Sequence, residues 1–121
     1  MKKSGWKKRI VNACEEAGTY QPYFESVIDT LADIMEKRDM AQIKFEESGG
    51  DPVVEHINRA GASNLTKNPA LVMIMECNAQ ALAYWRDLGL TPAGLKRLGE
   101  KNLVEKNSGD SLAEALANLG I

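Results

Sequence analysis

From Pro22 to about Glu47 the chain has no internal Gly or Pro, and apolar residues fall at Phe24, Val27, Ile28, Leu31, Ile34, Met35, Ala41 and Phe45. Steps of three and four predict one amphipathic helix. Pro22 is tolerated in its first turn, and Ser48-Gly49-Gly50-Asp51-Pro52 stops it. Arg38 and Asp39 interrupt the stripe, which leaves open a kink or a split into two shorter helices. The helical period is then lost. Val53, Val54 and Ile57 are β-branched, and Asn58 to Gly61 can turn, so the next segment reads as a short hairpin. Asn68-Pro69 opens a second long helix with Asn as N-cap and Pro in its first turn. Along it Leu71, Ile74, Asn78, Ala81, Trp85 and Leu88 form a coiled-coil-like seam with one polar member. Gly89 ends that helix, and Thr91-Pro92 starts a short one from Ala93 to about Leu98. Asn107-Ser108-Gly109-Asp110 reads as a linker, and Ser111 to Leu119 as a last amphipathic turn or two.

The expected fold class is therefore mainly α: two long antiparallel helices linked by a short β-hairpin, followed by a short helix and a flexible C-terminal tail. Its parts are a basic N-terminal arm and short helix over 1–20, a helical oligomerisation core over 21–99 with the hairpin near 52–66, and the tail over 100–121. Two helices folded on each other make a thin body. Such a body cannot cover apolar groups as widely spread as Tyr23, Phe24, Ile28, Met73, Tyr84 and Trp85 without neighbours. The expected oligomer interface comprises Phe24, Leu31, Ile34, Leu71, Ile74, Asn78 and Trp85, with Asn78 setting register or copy number.

Composition adds limits. At 121 residues the chain is one domain's worth, and its 44% hydrophobic and 26% charged content is that of an ordinary globular protein. No apolar run is long enough to cross a membrane. The start is basic like a signal peptide, but no apolar stretch follows it. Cys14 and Cys77 lack metal or redox spacing and read as reduced thiols, which fits a cytoplasmic location. The net charge of −2 hides an asymmetry. Residues 1–10 carry five bases and no acid, residues 15–55 carry eleven acids against three bases, and residues 91–106 are mildly basic. The pI alone argues against nucleic acid, whereas the basic arm keeps that option open.

Catalytic chemistry finds little support. No phosphate loop, dinucleotide fingerprint, nucleophile elbow or zinc-protease motif is present. The single His56 has no second His and reads as a strand or turn residue. Glu25, Asp29, Asp33 and Glu36 share one helix face, which reads as a solvated face, as converging metal ligands, or as a stripe meeting a basic partner. Lys2, Lys3, Lys7, Lys8 and Arg9, with Trp6, can neutralise phosphates, lie on the acidic stripe of a neighbouring subunit, or merely solubilise a terminus. Lys96, Arg97 and Lys101 form a second basic cluster, and residues 79–98 have helix–turn–helix proportions with Arg86 nearby.

Order and spacing carry a resemblance. Gly18-Thr19-Tyr20-Gln21-Pro22-Tyr23-Phe24 leads into the first long helix. It is followed by Phe45-Glu46-Glu47-Ser48-Gly49-Gly50, Asn58-Arg59-Ala60-Gly61, Asn68-Pro69 and finally Trp85-Arg86-Asp87-Leu88-Gly89-Leu90-Thr91-Pro92. Over roughly residues 17–98 the chain resembles the small terminase subunits of tailed phages and prophages. That resemblance implies a non-catalytic, cofactor-free adaptor in the host bacterial cytoplasm. It would recognise double-stranded viral DNA, assemble as a homo-oligomeric ring and deliver DNA to the large terminase subunit, which holds the ATPase and nuclease. Motifs of the family do not fix its DNA contacts, so the expected DNA-binding set, the five arm cations plus Lys96, Arg97 and Lys101, rests on charge. The competing readings are a small prophage helix–turn–helix transcription regulator and an enzyme built on the acidic stripe.

Overall fold

The structure, a computed structural model, describes residues 1–100. Its first element is a helix, α1 (Lys3–Ala17). The basic segment is thus no extended arm. Trp6, Ile10 and Cys14 recur at one-turn spacing, face inward and are buried. That apolar stripe fixes helix where the charge pattern alone suggested a loose terminus. The αL residue at the end of α1 is Gly18, with φ of 73°. This conformation lets the Thr19 N–H reach back to the Cys14 carbonyl at 2.9 Å.

A single 3₁₀ turn, Pro22–Phe24, leads into α2 (Glu25–Glu47). α2 is helical through Arg38 and Asp39, so the break in its apolar stripe is not a break in the helix. β1 (Val53–Ile57) and β2 (Ser63–Lys67) form an antiparallel ribbon in the register Val53↔Lys67, Glu55↔Leu65, Ile57↔Ser63. Its turn is held by the Asn58 carboxamide oxygen, which accepts from the Ala60 and Ala62 N–H groups. α3 (Pro69–Asp87) then returns along α2. Asn68 anchors the junction and is only 3% exposed. Its Oδ1 accepts from Ala70 N, capping α3, while its Nδ2 donates to Ser48 Oγ and the Asp51 carbonyl at 2.8 and 2.9 Å. A helix over 92–100, α4, follows; Thr91 Oγ1 caps it by accepting from Gly94 N at 3.0 Å. A Cβ on Gly94 would lie 2.1 Å from the Arg86 carbonyl oxygen, so the close crossing of α4 over the end of α3 requires glycine there.

α2 is the central element, packed by α1 on one side and α3 on another. The main core joins Trp6, Ile10 and Cys14 to Ile28, Leu31, Ala32 and Met35, and to Ala81 and Leu88. Ile10, Ile28, Leu31 and Leu88 are at most 1% exposed, and each contributes about 1.5–3 kcal/mol of burial free energy. The α3 seam differs from expectation by one position. Ile74, Cys77, Ala81 and Leu88 are buried, while Asn78 is exposed. Both 77 and 78 satisfy three-and-four spacing, and packing selects the apolar one. The tail over 101–121, including Lys101 and the segment Ser111 to Leu119, lies outside the described residues.

Candidate nucleic-acid interface

Lys2 at the N-cap and four cations in the first two turns crowd the start of α1, and Glu15 and Glu16 stand at its end. This is the reverse of what a helix macrodipole favours, since positive side chains at an N-terminus are repelled by it. α2 supplies the compensation. Glu36 Oε2 accepts the Lys3 backbone N–H at 2.6 Å. Asp39 Oδ2 accepts from the terminal ammonium at 2.9 Å and from Trp6 Nε1 at 2.6 Å. Lys3 Nζ reaches Asp29 at 3.1 Å, and Lys7 Nζ lies 3.4 Å from Asp29 and 3.7 Å from Glu25. Asp33 is paired with Lys37 at 2.6 Å.

The acidic stripe therefore meets a basic partner surface, and that partner is α1 of the same chain. Among the described residues, no group of three or more His, Cys, Asp or Glu side chains is placed to hold a metal ion.

The expected DNA-binding residues are sorted by this arrangement. Lys3 and Lys7 face α2 and are committed to its carboxylates. Lys2, Lys8 and Arg9 are exposed, and none has a carboxylate within 4 Å among the described residues. The Arg9 guanidinium lies 5.3 Å from the centroid of Trp6, whose ring is buried against the core rather than offered for stacking. Lys96 and Arg97 are exposed on α4, with Lys96 4.0 Å from Glu100. α4 contacts the other end of α1: Leu98 and Thr19 converge on Gly89. The two basic clusters thus sit toward opposite ends of a helix about 22 Å long and are not brought together.

Of the residues expected at an oligomer interface, Leu31 and Ile74 are buried inside the chain itself, and Phe24, Ile34 and Trp85 pack half-buried against the same core. Leu71 is half-buried, and Asn78 alone is exposed. Sequence reasoning named Met73 as needing cover but missed the rest of a different set. Met40, Ile43, Met73, Met75, Leu82 and the ribbon's Val53, Ile57 and Leu65 are all at least 43% exposed. The signal was present in α3, whose apolar residues are not confined to one stripe. It also missed Arg38, which lies between Asp39 and the Trp6 ring at 3.2 and 6.0 Å.

Electrostatics make the docking of α1 pH-sensitive. The Lys3 hydrogen bond, then Lys7, holds the Asp29 carboxyl below the ordinary aspartate value. Burial alone would raise Asp39, but hydrogen bonds from the terminal ammonium and Trp6 outweigh it and leave that carboxyl depressed too. Carboxylates depressed in the fold stabilise it fully above the unfolded value of about 3.9, and the contribution is lost as pH falls below that through the folded values. Acid titration of a Trp85→Phe chain, followed by Trp6 fluorescence, should report loss of stability as pH drops below about 4. Asp29→Asn/Asp39→Asn should flatten the profile; a profile equally steep in the double variant contradicts the assignment.

A family model described as phage terminase, small subunit, matches residues 3–103. The chain belongs to the phage terminase small subunit family. No curated protein and no solved structure matches it. Small terminase subunits serve phage genome packaging and are generally non-catalytic, with DNA and the large terminase subunit as the partners of the family. In this small terminase subunit the match takes in α1, both long helices, the ribbon and α4, so the basic helix is part of the family domain and not an appendage. No helix among the described residues is long and apolar enough to cross a membrane.

Proposed function

We propose that this small terminase subunit grips double-stranded viral DNA through the outer face of α1, assembles as a ring and presents the DNA to the large terminase subunit. The observation that carries the DNA reading is the division of the α1 cations. Lys3 and Lys7 secure the helix, while Lys2, Lys8 and Arg9 have no carboxylate partner among the described residues and stand at a helix N-terminus that attracts anions, Arg9 resting against the Trp6 ring. Lys96 and Arg97 form a second and separate contact, to which Lys101, outside the described residues, adds its charge. Three phosphate contacts per copy bind weakly, and a ring multiplies them through avidity. The acidic surface over residues 15–55 keeps DNA off the remaining faces. Ring assembly is supported by the exposed apolar side chains of α2, α3 and the ribbon. Asn78, exposed on α3, is available to a neighbouring copy.

DNA affinity measured against salt tests the reading. Lys2→Ala/Lys8→Ala/Arg9→Ala should lower the salt slope by roughly three units per copy engaged and leave helicity unchanged. Lys3→Ala/Lys7→Ala should change stability more than the slope. Equal slopes for wild type and the first variant would overturn the assignment. Light scattering on the wild type decides the ring, which requires a mass many times 13.3 kDa.

A further inference from the structure

Two exposed apolar features of one chain are similar in length, and one carries a carboxylate where the other carries lysines. The first is one face of the ribbon. Antiparallel register puts Val53, Glu55 and Ile57 on the same side as Lys67, Leu65 and Ser63. Val53, Ile57 and Leu65 are 43%, 66% and 78% exposed. A lone two-stranded ribbon is marginal in water, so a face of this kind needs cover. Glu55 sits among these residues, and the Ser63 hydroxyl donates to its carboxylate across the strands.

The second feature is a cleft of about 470 Å³ between the C-terminal half of α2 and the start of α3. Met40, Ala41, Ala70 and Met73 line it, and among the described residues its charged lining is Lys37 and Lys44, which lie 2.6 Å from Asp33 and 3.9 Å from Glu47 on the same helix. Met1 and Lys2 lie to one side of Met40, beside Glu36, Asp39 and Ile43, and do not line this cleft.

We propose that the apolar face of the ribbon of one copy seats in the α2–α3 cleft of the next, with Glu55 meeting Lys44. This rests on the ring reading and names its contact. Val53 to Ile57 spans about 13 Å of strand, and Lys37 to Lys44 about 10 Å of helix, so the two fit along their length. The ribbon does not cover the cleft of its own chain, because both are exposed in it: Met40 is 60% and Met73 47% exposed. A contact joining two different patches is heterologous. Unless a two-fold axis makes the contact reciprocal and closes a dimer, each addition leaves one free ribbon and one free cleft, and the chain of copies closes into a ring when the rotation permits.

Two variants at exposed positions test it: Ile57→Asp/Leu65→Asp disables the ribbon, and Met40→Asp/Met73→Asp disables the cleft. Wild-type protein should scatter as a closed multimer, and each variant alone as a monomer with unchanged far-UV circular dichroism. Their equimolar mixture should form a 1:1 heterodimer and stop there, since one intact ribbon then faces one intact cleft. Wild-type assembly mass in both variants overturns this contact and leaves the ring reading standing, whereas a monomeric wild type removes the ring reading itself. Self-association of the cleft variant into dimers points to ribbon-on-ribbon pairing and also overturns it. Should either variant lose helicity, a charge exchange decides. Glu55→Lys should weaken assembly at least tenfold and Lys44→Glu in the same chain should restore it; failure of restoration overturns the proposal.

Discussion

Leu31→Asp is expected to abolish cooperative folding of the chain, not merely its assembly. Leu31 is fully buried in the cluster where α1, α2 and α3 meet. Removing its side chain to Ala costs about 2–5 kcal/mol at such a site. A carboxylate without a partner there adds several more, or must protonate at a similar cost. The sum is comparable to the entire stability of an ordinary domain, about 5–15 kcal/mol. Thermal melts by circular dichroism should lose their sigmoidal transition. Tyr23→Asp, at a position 74% exposed, should shift stability by no more than about 0.5 kcal/mol. A Leu31→Asp chain that melts cooperatively with native helicity would show that the core is centred elsewhere.

That expectation also marks where the sequence was legible and where it was not. Caps and breakers are local, and they were read correctly: Asn68-Pro69, Thr91-Pro92 and the Ser48–Pro52 stop each act within a few residues. The ribbon was legible because β-branching and the Asn58 turn are local as well. What needed the third dimension was the partner of each face. The α2 stripe through Leu31 reads as surface for another subunit when only two helices are in view; α1 supplies the cover within the chain. The run of lysines masked the Trp6–Ile10–Cys14 stripe of α1, because four of the first seven residues of the helix are cations. Arg38 and Asp39 looked like an interruption for the same reason. They break the apolar period because they receive Trp6 and the start of α1, so their partners lie more than thirty residues away. The choice between Cys77 and Asn78 was undecidable from spacing, since both fit a helical period and only packing separates them.

Trp6 makes the second large effect, and its two functions can be separated. Trp6→Ala should cost about 3–5 kcal/mol, the usual range for an aromatic deleted from a core, because the indole is 7% exposed and closes the α1–α2 interface. Trp6→Phe keeps most of the packing but removes the N–H that Asp39 accepts at 2.6 Å, and should cost about 1–3 kcal/mol. Arg9 and Arg38, at 5.3 and 6.0 Å from the ring, add to the Ala penalty about 0.5–1 kcal/mol each at most for exposed cation–π pairs, and the Phe ring keeps part of it. The DNA readout should divide differently. Trp6→Phe leaves α1 docked, so Lys2, Lys8 and Arg9 remain in place and affinity should hold near wild type. Trp6→Ala frees α1 from Leu31 and Met35, so affinity should fall and dye binding to the uncovered apolar face of α2 should rise. If Trp6→Phe lost DNA affinity while retaining its stability, the indole would be contacting nucleic acid directly, and its burial against α2 would not describe the DNA-bound protein.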